Sequence, residues 1–331
     1  MSQSSDTLTR QKSRASEPGP LGGATTVDAD SRNWVDAYAP PWARPYLRLI
    51  RADRPVGTWL LFIPCLWGST LAMIGNDPDW LQFIWHGALF GVGAFVMRGA
   101  GCAYNDIVDQ DIDAKVARTA LRPIPAGDIS SRNAWIFLVA LCVVGLAVLV
   151  QFNRTTIITG IASLALVAAY PFMKRVTWWP QAWLGLTFNW GVLVGYAATK
   201  GSLDAVALFA YGAGVFWTLG YDTIYAHQDA EDDALIGVKS SARALGDRTK
   251  PALVFFYGTT VLLMSLAVLF AGGSPWALVL LVPAAIHLAW QVRRFDANSA
   301  KGLLSLFKSN RDAGFLFLAG MLAIVGLAFL R

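Results

Sequence analysis

A cluster of oxygen-bearing side chains follows one of the most apolar stretches of this chain. The segment "NDIVDQDID" (105–113) holds four aspartates and one asparagine in nine residues. At about 100° per helical residue, one face of a helix carries Arg98, Asn105, Asp106, Asp109 and Asp113. Asp111 points away from that face. The spacing therefore predicts a column of carboxylates rather than a set of equivalent acids.

A second acidic segment has the same character. In "YDTIYAHQDAEDDALIGVKS" (221–240), helical spacing places Asp222, Asp229 and Asp233 within about 40° of one another. Carboxylates stacked one turn apart repel each other, and a cation would neutralise them. Oxygen ligands without His or Cys suit Mg²⁺, which completes its shell with water and substrate phosphates. The two segments predict Mg²⁺ sites that together hold a diphosphate; the alternative is a solvated acidic loop.

Basic residues lie near both acidic segments and could donate to phosphate oxygens. The candidates for this role are Arg98, Arg118, Arg122, Lys174, Arg175 and Lys239. For each of them the alternative is the ordinary excess of positive charge in loops on one side of a membrane.

The composition predicts an all-α polytopic membrane protein. Of 331 residues, 55% are apolar and 15% charged, with a mean hydropathy of +0.45, whereas a soluble domain has about 25% charged residues. Residues 1–33 are polar and predicted to be a disordered tail before an intramembrane domain over 34–331. A short interfacial helix is predicted over 40–55. Nine apolar windows of about 20 residues follow, near 57–75, 82–104, 134–151, 156–173, 178–198, 203–222, 251–271, 275–292 and 313–330.

The loop charges predict the orientation of these nine spans. Fifteen Lys and Arg residues fall in the loops after the even-numbered spans, and only Arg154 and Lys200 fall in the opposite loops. By the positive-inside rule, both acidic segments then lie at the cytoplasmic ends of their helices. They could therefore meet in one pocket. The chain has no basic stripe or zinc-ligand spacing typical of nucleic-acid binding, and protein partners are not predicted.

The segments "MRGAGCAYNDIVDQDIDAKVARTALRPIPAG" and "YDTIYAHQDAEDDALIGVKS" resemble the two signature regions of the UbiA-type intramembrane prenyltransferases. The segments "LIRADRPVGTWLLFIPCLWG", "YPFMKRVTWWPQ" and "FNWGVLVGYAA" resemble the branch that prenylates 4-hydroxybenzoate in ubiquinone biosynthesis. The resemblance covers about residues 40–331. It implies nine transmembrane helices in a ring around a central pocket, with a polyprenyl diphosphate and 4-hydroxybenzoate as substrates.

On this basis we assign expected roles. Mg²⁺ would be held by Asn105, Asp106, Asp109 and Asp113 on one wall and by Asp229 and Asp233 on the other. Arg54 could bind the carboxylate of 4-hydroxybenzoate, or serve as an interfacial anchor. Asp222 or Tyr225 could orient the phenol or accept a proton, although Tyr225 could simply be an interface aromatic. Asn189 is a candidate for the pocket or for a hydrogen bond between helices.

Two alternatives remain for the function and one for the compartment. The acceptor could be another aromatic compound, or the carboxylates could belong to an ion-coupled transporter, although a coupling site normally lies near the middle of the bilayer. The bacterial inner membrane is the expected location, with the acidic segments facing the cytoplasm. The mitochondrial inner membrane is the alternative.

Overall fold

The computed structural model describes residues 33–115, 119–228 and 239–329, and this part of the chain contains helices and no strand. Asp229, Asp233 and Arg118 lie outside the described residues, as does nearly all of the predicted N-terminal tail. The helices are α1 Trp34–Tyr38, α2 Arg44–Leu49, α3 Val56–Met73, α4 Trp80–Asp113, α5 Ser131–Leu149, α6 Arg154–Val176, α7 Pro180–Phe188, α8 Trp190–Lys200, α9 Ala205–Ala226, α10 Ser241–Leu245, α11 Thr249–Phe270, α12 Val282–Arg294 and α13 Ala300–Phe329.

Seven stretches are long and apolar enough to cross a membrane. They are Val56–Met73, Trp80–Asp113, Ser131–Leu149, Arg154–Met173, Ser241–Phe270, Pro275–Arg294 and Ala300–Ala328. The all-α membrane architecture is confirmed, but the count of nine spans is not. The predicted fifth span is divided at Asn189 into α7 and α8, of 9 and 11 residues. The predicted sixth span corresponds to the 22-residue α9, which is not among the seven.

Helix α3 lies in the core and packs closely against α8. A Cβ atom on Gly195 would come within 1.9 Å of the backbone oxygen of Cys65, and one on Gly68 within 2.1 Å of the Val192 oxygen. Only glycine leaves room for the two backbones at this distance. Close approach through small residues is how helices associate in membranes, where lipid removes the hydrophobic driving force between them.

Large aromatic residues join α3 to α9 and α13. The rings of Trp67 and Trp217 lie 5.0 Å apart, and that of Phe317 lies 5.6 Å from Trp67. Both indoles are fully buried, and each donates its N–H: Trp67 to the Gly314 oxygen at 3.0 Å, Trp217 to Asn310 Oδ1 at 2.9 Å. The core therefore satisfies the polar atoms of these tryptophans, as buried indoles require.

The predicted interfacial helix over 40–55 is shorter than expected. Within it only α2, Arg44–Leu49, is helical, and an ion pair of 2.6 Å between Arg48 and Asp36 ties α2 to the preceding α1. The Trp34 indole donates to the Ala52 oxygen at 2.8 Å. Pro55 begins α3, and the turn before it places Arg51 at a positive φ of 59°.

Helix α4 is longer than the span predicted over 82–104. Its 34 residues extend about 51 Å at 1.5 Å per residue, whereas the hydrocarbon core of a bilayer is about 30 Å thick. The helix continues without a break through Asp113. Its last turns therefore carry the first acidic segment beyond the apolar part of the helix.

Candidate functional site

The first acidic segment forms the predicted column at the end of α4. Asp106 and Asp109 are fully buried, and Asp113 is 5% exposed. Asn105 is half-buried, while Asp111 is exposed on the other face. The helical periodicity of the sequence thus separates the column from Asp111 in the structure, as predicted. Three buried carboxylates on one face need compensating positive charge.

Three arginines from outside α4 supply that charge. Arg51, from the turn before α3, donates from Nη2 to Asp106 Oδ1 at 2.7 Å. Arg122, from the loop after α4, donates to Asp113 Oδ2 at 2.6 Å and to Asp106 Oδ1 at 3.2 Å. Arg175, in the last turn of α6, pairs with Asp109 Oδ1 at 3.0 Å.

The loop after α4 returns Arg122 to the column. The Thr119 hydroxyl donates to the backbone oxygen of Asp113 at 2.9 Å. The backbone N–H of Arg122 donates to the backbone oxygen of Thr119 at 2.9 Å. Gly127, at φ 82°, closes the turn before α5. The described part of this loop, from Thr119 onward, brings Arg122 into contact with two carboxylates of the preceding helix.

Arg98 and Arg54 have different surroundings. Arg98 is half-buried, donates to the Ile50 oxygen at 3.3 Å and contacts the Cys102 sulfur. Among the described residues Arg98 forms no ion pair, and its Nε is buried without a hydrogen-bond partner. Arg54, by contrast, pairs with the neighbouring carboxylate of Asp53 at 3.1 Å. Arg98 is therefore the more available guanidinium for an incoming anion.

Tyr170 of α6 lies near both Asp222 of α9 and Asp109 of the column. Tyr170 lies within electrostatic range of Asp222, Asp109 and Arg98. Asp222 is half-buried, and the Tyr225 ring packs against Phe307 with 4.5 Å between centroids. The end of α9 that precedes the second acidic segment thus lies on the same side as the column of α4.

For the remaining predicted site residues, the structure gives no contact with the carboxylate column among the described side chains. Asn189 is fully buried where α7 meets α8, and its Nδ2 donates to Thr218 Oγ1 of α9 at 2.7 Å, which is a hydrogen bond between helices. Lys239 donates to the Val176 oxygen at 3.4 Å. Lys174 belongs to α6, one residue before Arg175, but its side chain is outside the described part of the structure.

Sequence reasoning missed Arg51 and Tyr170. Arg51 stands in the same "RADRP" segment as Arg54, but its contact with Asp106 depends on a backbone turn that no periodicity reveals. Tyr170 could have been considered from the sequence, because it begins the segment "YPFMKR" that also contains Arg175.

The chemistry of the column fits a hard divalent cation. Its donors are carboxylate and amide oxygens, which Mg²⁺ prefers. Among the described residues Asp106 Oδ2 is buried without a hydrogen-bond partner, so one carboxylate oxygen of the column is not engaged by an arginine. Over 33–115, 119–228 and 239–329, no group of three or more His, Cys, Asp or Glu is arranged as a complete metal site. The predicted ligands Asp229 and Asp233 fall outside these ranges.

Comparisons with known proteins agree with this architecture. The model of the UbiA prenyltransferase family matches residues 61–328. A mitochondrial 4-hydroxybenzoate polyprenyltransferase from Rattus norvegicus is 49% identical over 285 residues, covering 86% of this chain and 75% of that protein. The Homo sapiens protein of the same name is 47% identical over 306 residues, covering 92% and 81%.

Solved structures share the fold. The apo structure of a UbiA homolog from Aeropyrum pernix K1 has a TM-score of 0.66 and 25% identity, and it covers 80% of this chain and 97% of that one. A UbiA homolog from Archaeoglobus fulgidus, bound to GPP and Mg²⁺, has a TM-score of 0.63 at 21% identity, with 85% and 99% covered. With the family model matched over residues 61–328 and relatives nearly half identical, this chain belongs to the UbiA prenyltransferase family.

Proposed function

We infer that this chain transfers a polyprenyl group from a polyprenyl diphosphate to 4-hydroxybenzoate, at the ring carbon ortho to the hydroxyl, in ubiquinone biosynthesis. The observation that carries the inference is the 49% identity to a 4-hydroxybenzoate polyprenyltransferase over 86% of the chain. The buried column of carboxylates, lined with arginines, supplies the chemistry that such a transfer needs.

Diphosphate would bind between the acidic column and its arginines. The expected Mg²⁺ ligands are Asn105, Asp106, Asp109 and Asp113, together with Asp229 and Asp233. When bound, Mg²⁺ neutralises the charge that builds on the diphosphate as the allylic carbon–oxygen bond breaks. Two structures of a UbiA homolog from Archaeoglobus fulgidus, one bound to GPP and Mg²⁺ and one to DMAPP and Mg²⁺, support this choice of cation.

Arg122 and Arg175 would donate to the diphosphate oxygens. Both reach the column from loops or helix ends, and the Arg175 side chain is 45% exposed, so its guanidinium is accessible to an incoming anion. A guanidinium presents paired N–H donors that match two phosphate oxygens. Arg118, Lys174 and Lys239 remain further candidates for this role on the basis of the sequence.

The carboxylate of 4-hydroxybenzoate would bind Arg98. This guanidinium has a buried Nε without a partner and no carboxylate of the described residues beside it, whereas Arg54 is already paired with Asp53. Arg98 also lies on the face of α4 that carries the column, two to three turns before Asp106 and Asp109. The acceptor ring would then lie next to the diphosphate. Arg54 becomes the second candidate.

The acceptor's hydroxyl would meet Asp222, Tyr225 or Tyr170. Asp222 and Tyr170 lie within electrostatic range of each other and of the column. A carboxylate near the phenol would orient it and increase the electron density of the ring, and the proton displaced by the new carbon–carbon bond needs an acceptor nearby. The allylic cation must be kept from water, and the carboxylates beside which it would form are buried.

The sequence offered two alternatives to this function, a different aromatic acceptor and an ion-coupled transporter. Prenylation of a different aromatic acceptor would use the same column and arginines. Membership in a family of prenyltransferases favours an enzyme over the ion-coupled transporter.

The membrane in which the chain works is also a proposal. The sequence favours the bacterial inner membrane because the polar N-terminal region contains acids. The names of the relatives from Rattus norvegicus and Homo sapiens say "mitochondrial", which supports the alternative of the mitochondrial inner membrane.

An acceptor panel tests the proposed activity. Membranes containing the chain would receive Mg²⁺, a polyprenyl diphosphate and either 4-hydroxybenzoate or another aromatic acceptor, and products would be identified by mass spectrometry. We expect prenylated 4-hydroxybenzoate. A product from another aromatic, with none from 4-hydroxybenzoate, would overturn the acceptor assignment and retain the reaction class.

A further inference from the structure

Each carboxylate of the column is matched to an arginine that comes from a different part of the chain. Arg51 belongs to the turn between α2 and α3, Arg122 to the loop after α4, and Arg175 to the end of α6. None of these contacts is a local helix pair. Three independent segments therefore converge on one face of α4 to neutralise it.

The arginines hold one carboxylate oxygen each of Asp106, Asp109 and Asp113, the residues expected to bind metal. Asp106 Oδ1 accepts from both Arg51 at 2.7 Å and Arg122 at 3.2 Å, while Arg122 also takes Asp113 Oδ2. A carboxylate held by a guanidinium and a carboxylate bound to Mg²⁺ are alternative states, because two cations in one buried position repel each other. Metal binding must therefore break or loosen these pairs.

The backbone conformation of the turn before α3 fixes the position of Arg51. Its φ of 59° lies in the left-handed region, which costs a non-glycine residue free energy and is typical of functional sites. Its side chain is 12% exposed, and Nη1 donates to the Arg48 oxygen at 3.2 Å and to the Leu49 oxygen at 3.4 Å. The guanidinium is thus fixed by its own turn while Nη2 points at Asp106.

We propose that Arg51, Arg122 and Arg175 are counter-ions that close the carboxylate column to metal until a diphosphate arrives. The diphosphate offers these arginines new anionic oxygens, which releases the carboxylates to bind metal, so metal and diphosphate load together. The chain without substrate then holds no metal tightly. This inference rests on the proposed function, since it assumes that the column binds metal and diphosphate.

Metal binding without diphosphate is the direct test. The purified full chain in detergent would be titrated with Mn²⁺ alone, and free Mn²⁺ would be followed by electron paramagnetic resonance. Removing a counter-ion exposes a carboxylate to metal, so Arg51→Gln and Arg175→Gln should each bind Mn²⁺ alone about tenfold more tightly than the unaltered chain. Arg51→Lys keeps the charge and should restore weak binding.

Arg48→Gln is the matched control. It removes a positive charge three residues from Arg51, and Arg48 pairs with Asp36 outside the column. We expect its Mn²⁺ affinity to equal that of the unaltered chain. Arg175→Gln guards against misfolding of the buried variant, because the Arg175 side chain is 45% exposed and its loss disturbs little packing.

A second measurement examines the coupling. In the unaltered chain, Mg²⁺ and a non-reactive prenyl thiolodiphosphate together should raise the melting temperature by more than the sum of their separate effects. In Arg51→Gln, Mg²⁺ alone should raise the melting temperature. Unchanged or weaker Mn²⁺ binding in both Arg51→Gln and Arg175→Gln would overturn the proposal. The acceptor panel tests the proposed function separately from the counter-ion proposal. If the Mn²⁺ result overturned the counter-ion proposal, prenylated 4-hydroxybenzoate from the unaltered chain would still support the proposed function.

Discussion

Replacement of Arg98 by alanine tests where the acceptor's carboxylate binds. Arg98 has a buried Nε without a partner and no ion pair among the described residues, so its guanidinium is available to an anion. A hydrogen bond to a charged group contributes about 1.5–3 kcal/mol. Because 1.4 kcal/mol corresponds to about a tenfold change, Arg98→Ala should raise KM for 4-hydroxybenzoate by about 10- to 150-fold.

The structure provides two comparisons for this variant. Arg54→Ala should raise the same KM much less, because Arg54 is already paired with Asp53. Gly57→Ala should act in the direction of Arg98→Ala, since a Cβ on Gly57 would lie 2.5 Å from Arg98 Nε and displace the guanidinium. In both Arg98→Ala and Gly57→Ala, the KM for the polyprenyl diphosphate should change by less than about threefold.

Steady-state kinetics in detergent or in membranes would measure both constants for each variant. Melting temperatures would show whether each variant remains folded. A KM for 4-hydroxybenzoate that is unchanged in Arg98→Ala but raised in Arg54→Ala would refute this reasoning and return the carboxylate to Arg54. If only the KM for the diphosphate were raised, Arg98 would be assigned to binding the diphosphate and not the acceptor's carboxylate.

Three further predictions concern the second acidic segment and the packing. Asp229→Ala should abolish product formation without lowering the melting temperature, and turnover by this folded variant would exclude Asp229 from the diphosphate site. Gly195→Ala should lower the melting temperature, because its Cβ would overlap the backbone oxygen of Cys65. Gly258→Ala is the control and should leave the melting temperature unchanged, because no atom lies within 4 Å of its Cβ. Asn189→Ala should lower the melting temperature through loss of the bond to Thr218 and leave both KM values nearly unchanged; a selective rise in one KM would place Asn189 in the pocket.

Hydropathy and helical periodicity predicted the parts of this structure that depend on one helix at a time. The column of α4 is such a part, because the angles between residues in a helix follow from the sequence spacing alone. The exposure of Asp111 beside buried Asp106 and Asp109 reflects the same geometry. The long apolar helices could also be predicted one at a time, because a membrane-spanning helix forms all its backbone hydrogen bonds within its own segment.

The contacts between helices could not be predicted in this way. The pairing of Arg51 with Asp106 requires a turn with φ 59°, and the pairing of Arg175 with Asp109 requires α6 to end beside α4. The division of the fifth span at Asn189 also depends on packing, because Asn189 bonds to a residue of α9 that follows 29 positions later. Tertiary partners of this kind leave no periodic signal in the sequence.

The most direct test of the account compares the unaltered chain with Asp109→Ala in one reaction. Purified protein would receive Mg²⁺, a polyprenyl diphosphate and 4-hydroxybenzoate, and the product would be quantified by mass spectrometry and its attachment site determined by nuclear magnetic resonance. If the carboxylate column binds the diphosphate, the unaltered chain should yield a product prenylated ortho to the hydroxyl, and a folded Asp109→Ala variant should yield none. Equal product from both proteins would contradict the central role of the carboxylate column.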